Sequence, residues 1–105
     1  MSSHWIDVGG VDEVSETAPL AVYVEGVPMI LVRCGESVYA AQDMCTHDGE
    51  ALGEALVEDC QITCPRHGAR FCLRTGEVLA PPAYEPLRTY AARLENGRVL
   101  VELPA

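Results

Sequence analysis

Four side chains constrain this chain more than any others. Cys45 and His47 form a Cys-x-His pair, and sixteen residues after His47 comes a Cys-x-x-His pair, Cys64 and His67. The pattern C-x-H-x16-C-x-x-H supplies two soft thiolates and two imidazoles, and two of the three histidines in the chain fall inside it. Both clasps must meet at one metal-bearing unit, so the fold has to bring two distant loops together. Two cysteines with two histidines is also a zinc-site composition. Structural zinc sites, however, usually pair like with like, as C-x2-4-C and H-x3-5-H. Here each half mixes the two donor types. That arrangement suits a 2Fe–2S cluster whose one iron is held by cysteines and the other by histidines.

The wording around the four donors extends the pattern. The first loop reads CTHDGEALGEALVED and the second CPRHGARFCLRTGEVLAPPAYEPLRTY, with Gly68 after the second histidine, a Thr75-Gly76 turn and a Pro81-Pro82 segment. Over nearly its whole length the chain resembles the small Rieske ferredoxins that feed electrons to bacterial ring-hydroxylating oxygenases. The resemblance implies an all-β fold, a small antiparallel β-barrel or sandwich with an inserted cluster-binding subdomain. It also implies one domain over residues 1–105, with cluster loops at about 43–53 and 64–82. Cys45 and Cys64 would bind the inner iron of one [2Fe–2S] cluster, and His47 and His67 the outer iron. The implied function is one-electron carriage, without catalysis, from a flavin-dependent ferredoxin reductase to a terminal oxygenase. Three alternatives stay open: a stand-alone Rieske ferredoxin serving another redox or Fe–S assembly pathway, the small subunit of a nitrite-reductase-like enzyme, and a zinc-stabilised binding module.

Departures from the respiratory branch of the family carry a prediction. Those proteins join their two ligand loops by a disulfide, and the matching positions here are Glu50 and Arg66. They also place a serine and a tyrosine hydroxyl near the cluster, where this chain has Ala69 and Phe71. Fewer hydrogen-bond donors leave the more negative reduced form less stabilised. The expected reduction potential is therefore near the low end of the Rieske range, about −150 mV.

Length and charge narrow the partners. At 105 residues the chain has room for one core. Its formal net charge is −9 and its seven basic residues are all arginines, which argues against nucleic acid, since phosphate binding needs a basic face. Charge is uneven: Asp43, Asp48, Glu50, Glu54, Glu58 and Asp59 lie in or beside the first loop, and Arg66, Arg70 and Arg74 in the second. A docking face acidic on one side and basic on the other would orient a protein partner. No stretch of about 20 apolar residues is present, and the N-terminus lacks the marks of a secretory leader. The expectation is a soluble, cytoplasmic protein that does not enter a membrane. Paired catalytic carboxylates, a phosphate loop and a nucleophile–base pair are all missing from the sequence, so no small-molecule substrate is expected. The remaining cysteines, Cys34, Cys60 and Cys72, are odd in number with no disulfide pattern, and are expected as reduced core fillers.

Alternating and β-branched runs give the strands. Trp5, Ile6 and Val8 begin the first, and Val11 to Glu16 is a helical turn or a loop. The runs Ala18–Glu25 and Val27–Arg33 meet at Glu25-Gly26, and Ser37–Ala41 follows. Gln61–Thr63 leads into the second loop. Leu87–Leu94 and Arg98–Leu103 flank Glu95-Asn96-Gly97, and Asn-Gly between alternating runs is a strong hairpin signal. Trp5 is expected as a core or edge-strand anchor, Phe71, Tyr84 and Tyr90 as core and loop packing, and His4 as solvated.

Overall fold

In a computed structural model the chain is described over residues 4–46 and 49–103. Eleven antiparallel strands and one 3-10 turn form three sheets among these residues. Strand β1 (His4–Gly10) pairs with β11 (Arg98–Leu103), which pairs in turn with β10 (Ala92–Glu95). Strands β2 (Leu20–Val24), β3 (Val27–Cys34), β4 (Ser37–Gln42) and β9 (Thr89–Tyr90) form the second sheet in that order. The third sheet runs β5 (Leu56–Glu58), β6 (Gln61–Thr63), β7 (Arg70–Cys72) and β8 (Val78–Ala80). A 3-10 turn at Val11–Glu13 follows β1. The all-β expectation holds, and the third sheet is inserted between β4 and β9 as expected.

Side-chain alternation explains why two cores form. Successive residues of a strand point to opposite faces, and β3 is apolar on both. Met29 and Leu31 enter a base core with Val14, Val24, Val38, Ala40, Val99, Val101 and Leu103. Ile30 and Val32 enter a second core with Leu52, Val57, Ile62, Phe71, Leu73 and Leu87. On β4, Ala40 faces the first and Ala41 the second. The β3–β4 hairpin is thus a wall common to both cores.

Two hairpin turns with glycine as the second central residue fall where the sequence places them. Glu25 and Gly26 take φ 49° and 84°, and Asn96 and Gly97 take 52° and 78°. Positive φ at both central residues gives the twist that suits a two-residue hairpin. A third turn of this kind has no glycine: Asp59 and Cys60, between β5 and β6, take φ 53° and 60°.

Three expectations need correction. The run Leu87–Leu94 is not one strand: Tyr90 pairs with Ala40 in the second sheet while Ala92 pairs with Val101 in the first. The chain changes sheets at Ala91, whose carbonyl accepts a bond from the Glu102 N–H at 2.9 Å. Cys34 and Cys60 are not separate thiols but a disulfide, with Cα atoms 5.6 Å apart. Twenty-six residues separate them in sequence, so the pairing was invisible until β5–β6 folded back beside the end of β3. Tyr84 is not packed: it is 90% exposed, because its neighbours Ala83 and Leu87 supply the inward-facing side chains of that segment. Trp5 is a half-buried anchor on β1, with the Arg93 guanidinium 4.1 Å from its ring centroid, and His4 is exposed and bonds Glu25 at 3.1 Å.

Candidate metal centre

The two proposed cysteine donors lie on loops built the same way. Cys45 follows β4. Its N–H donates to the Glu50 carbonyl at 2.8 Å, and its carbonyl accepts from the Gly49 N–H at 2.8 Å. Cys64 lies between β6 and β7. Its N–H donates to the Ala69 carbonyl at 2.8 Å, and its carbonyl accepts from the Gly68 N–H at 3.0 Å. Each loop is therefore a tight knuckle closed from the cysteine to the residues four and five positions on. Gly49 and Gly68 take φ 75° and 79°, where a Cβ is disfavoured.

The same knuckle occurs a third time. The Cys72 N–H donates to Glu77 at 2.9 Å and its carbonyl accepts from Gly76 at 2.6 Å, with Gly76 at φ 82°. The sequence signal is C-x3-G at Cys45, Cys64 and Cys72, a repeat the four-donor pattern does not reveal. Burial pushes the Cys72 thiol up. The Thr75 hydroxyl, the N–H groups of Thr75 and Arg74 and the Arg74 charge outweigh it, and hold the thiol below its usual value.

Burial divides the donors. Cys45 and Cys64 are fully buried and belong to the same apolar cluster, with Leu52, Ile62, Ala69 and Phe71. His67 is exposed. His47 lies outside the described residues. Among the described residues no three His, Cys, Asp or Glu side chains gather around a common point. A [2Fe–2S] cluster asks for two protein donors on each of two irons. Two buried cysteine sulfurs with the exposed His67 imidazole close by in sequence fit that demand.

Neighbouring segments hold the knuckles in place. The Asp43 carboxylate accepts from the Leu52 N–H at 2.7 Å and closes the first loop. Arg66 Nη2 donates to the Ala51 carbonyl at 3.2 Å, linking the second loop to the first. Glu50 and Arg66 are the positions where the respiratory proteins place their inter-loop disulfide, so a hydrogen bond joins the loops here. The Thr46 hydroxyl donates to the Glu85 carbonyl at 2.6 Å, and Leu87 N–H donates to Gly76 carbonyl at 2.8 Å. The segment 83–88, which follows the cis Pro81-Pro82 bond, is thereby fastened to the first and third knuckles.

A family description of the Rieske [2Fe-2S] domain matches residues 4–91. The chain belongs to the Rieske [2Fe-2S] family. It is 33% identical over 103 residues to the ferredoxin component of a naphthalene 1,2-dioxygenase system from Pseudomonas aeruginosa, covering 98% of this chain and 99% of that one. The ferredoxin of carbazole 1,9a-dioxygenase from Nocardioides aromaticivorans IC177 superposes with TM-score 0.87 at 32% identity, over 92% of this chain and 95% of that one. A ferredoxin solved in complex with the reduced oxygenase of carbazole 1,9a-dioxygenase matches with TM-score 0.85 at 30% identity, over 92% and 91%. This Rieske protein holds one [2Fe–2S] cluster. These naphthalene and carbazole relatives are ferredoxins, the electron-transfer components of their dioxygenase systems. Among the described residues no helix is long and apolar enough to cross a membrane.

Proposed function

We propose that this Rieske protein is the ferredoxin component of a ring-hydroxylating dioxygenase system. It takes single electrons from a flavin-dependent reductase and delivers them to a terminal oxygenase in the cytoplasm. One Rieske domain, 1–105, performs the task through cluster loops at about 43–53 and 64–82. Cys45 and Cys64 hold the inner iron and His47 and His67 the outer one. When bound, the cluster supplies one-electron redox chemistry at a potential set by its ligands and the hydrogen bonds around it. The protein's own share is shielding and presentation. Leu52, Ile62 and Phe71 keep water from the cysteine side, and His67 stands at the surface where a partner docks. The observation that carries the reading is the pair of matching knuckles, each burying a cysteine.

Visible and low-temperature EPR spectra before and after dithionite test the ligand set. A red-brown protein whose reduced form shows the lowered average g of histidine ligation is expected. A colourless, EPR-silent protein holding one zinc would overturn it. Transfer from a flavin reductase to an oxygenase, followed by stopped-flow, tests the partners. Their encounter is expected to slow as salt rises, because steering by opposite charges is screened.

A further inference from the structure

The Cys34–Cys60 disulfide lies outside the cluster loops in sequence, next to the strand that leads to one of them. Cys34 ends β3, the strand shared by both cores, and Cys60 closes the β5–β6 turn. From that turn β6 runs directly to Cys64. The turn itself holds two non-glycine residues, Asp59 and Cys60, at positive φ, a conformation that side chains other than glycine resist. Besides the disulfide, the turn is held by the β5–β6 pairing, by burial of Cys60 in the second core, and by the Leu73 N–H donating to the Cys60 carbonyl at 2.9 Å.

Both cysteines line a cleft of about 670 Å³, within the size range of small-ligand sites. Its charged walls are mixed: Arg33 and Arg74 face Glu16, Glu58 and Asp59. The Arg33 Nε is buried without a hydrogen-bond partner, and its guanidinium reaches Glu16 only at 3.8 Å. Cys34 is half-buried in this wall while Cys60 is 6% exposed. A cleft with both charge signs around a reachable disulfide sulfur matches a small thiol that itself carries carboxylate and ammonium groups.

We propose that Cys34–Cys60 is a thiol–disulfide exchange site for a small zwitterionic peptide thiol, and that its reduction loosens the hold on Cys64. The incoming thiolate attacks Sγ of Cys34, the less buried of the two residues, and the bond to Cys60 breaks. Cys60 leaves as a thiolate and takes a proton from solvent. A second small thiolate then attacks the small-thiol sulfur of the mixed disulfide, and Cys34 leaves as a thiolate that takes a proton from solvent. Two small thiols become one small disulfide, and the protein gains two thiols. Cytosolic disulfides in mesophiles are usually of this transient, redox-sensing kind. With the link open, the chain between Cys34 and Cys60 regains freedom in the unfolded and locally opened states.

The coupling to Cys64 rests on the ligand assignment proposed above, and the exchange chemistry does not, so the two are read separately. The holoprotein is purified without reductant, treated with glutathione, then denatured and alkylated. Of the five cysteines, three are expected to take label before treatment and all five after it. Five labels before treatment would remove the disulfide and the proposal with it. In Arg74→Gln, reduction by glutathione is expected to slow about fivefold while reduction by neutral 2-mercaptoethanol is unchanged, since only the zwitterion uses the charged walls. Equal rates for both thiols in the variant and the parent would overturn the binding cleft. Visible absorbance of the cluster is expected to decay about tenfold faster after glutathione, and equally fast in untreated Cys34→Ser/Cys60→Ser. Unchanged decay in glutathione-treated parent protein, a measurement that does not depend on the variant folding, would overturn the coupling.

Discussion

The base of the molecule and the module that carries Cys64 share the β3–β4 wall but are held by different means. In the base, strand alternation does most of the work. Met29, Leu31, Val99, Val101 and Leu103 recur at every second position and bury themselves against one another. In the module the strands of the third sheet are three residues long, too short for alternation to specify much. There the chain is fixed by knuckles, by glycines at positive φ, by side-chain bonds such as Asp43 to Leu52, and by a disulfide. Packing tolerates small changes by relaxing, whereas a knuckle with a required backbone angle has little to relax.

The largest test of this contrast is Cys64→Ser. It is expected to abolish the visible cluster absorbance while the far-UV β signature of the base survives. Loss of both signals together would show that the two regions do not stand apart. Next comes a matched pair of glycines. Gly26 and Gly76 have φ 84° and 82°, but a Cβ at Gly26 would meet open space, whereas at Gly76 it would strike the Leu87 carbonyl oxygen. Gly26→Ala is expected to cost about 1–2 kcal/mol. Gly76→Ala is expected to cost about 4 kcal/mol or more in urea unfolding. Equal costs would mean that the module relaxes as readily as the base.

Smaller effects sharpen the contrast. Ala69→Ser and Phe71→Tyr add hydroxyls at buried positions of the module. Each is expected to raise the reduction potential by about 60 mV, equivalent to ~1.4 kcal/mol for one electron. A protein-film voltammogram that does not move would discount hydrogen bonding as the control on the expected low potential. The smallest effect lies in the base. The Arg98 hydrogen bond, outweighing slight burial and aided by the Gly9 N–H, lowers the Asp7 carboxyl below its usual range. Arg98 meets both carboxylate oxygens, at 3.0 and 2.9 Å. A depressed carboxyl contributes stability above its unfolded value and loses it as pH falls through the lowered one. Asp7→Asn is therefore expected to lower the melting temperature slightly at neutral pH and not at all in acid. The pair is exposed, so solvent screens most of it.

What the sequence revealed follows the same division. The hairpins at Glu25-Gly26 and Asn96-Gly97 were legible because glycine announces positive φ and long alternating runs flank each turn. The donor pattern was legible because cysteine and histidine are rare enough to stand out. Strands β5, β7 and β8 were not, since three residues carry no measurable period. The Asp59-Cys60 turn was hidden by its lack of glycine. The Cys34–Cys60 pairing depends on a contact between β3 and a distant turn, which no local pattern encodes. The break of Leu87–Leu94 into two strands was hidden because both halves are extended, and only their partners differ. The third knuckle at Cys72 was readable from C-x3-G once the first two were understood as backbone devices as well as ligand sites.

A strand with both faces buried has a further consequence. Exposing Ile30 and Val32 by melting the module still leaves Met29 and Leu31 packed in the base core. Partial melting that begins in either core therefore stops at this strand or takes the whole molecule with it. Its amides should be the last to exchange with deuterium, at a rate set by global unfolding. The lifetime of the redox centre then has a ceiling fixed at a strand that supplies none of its proposed ligands.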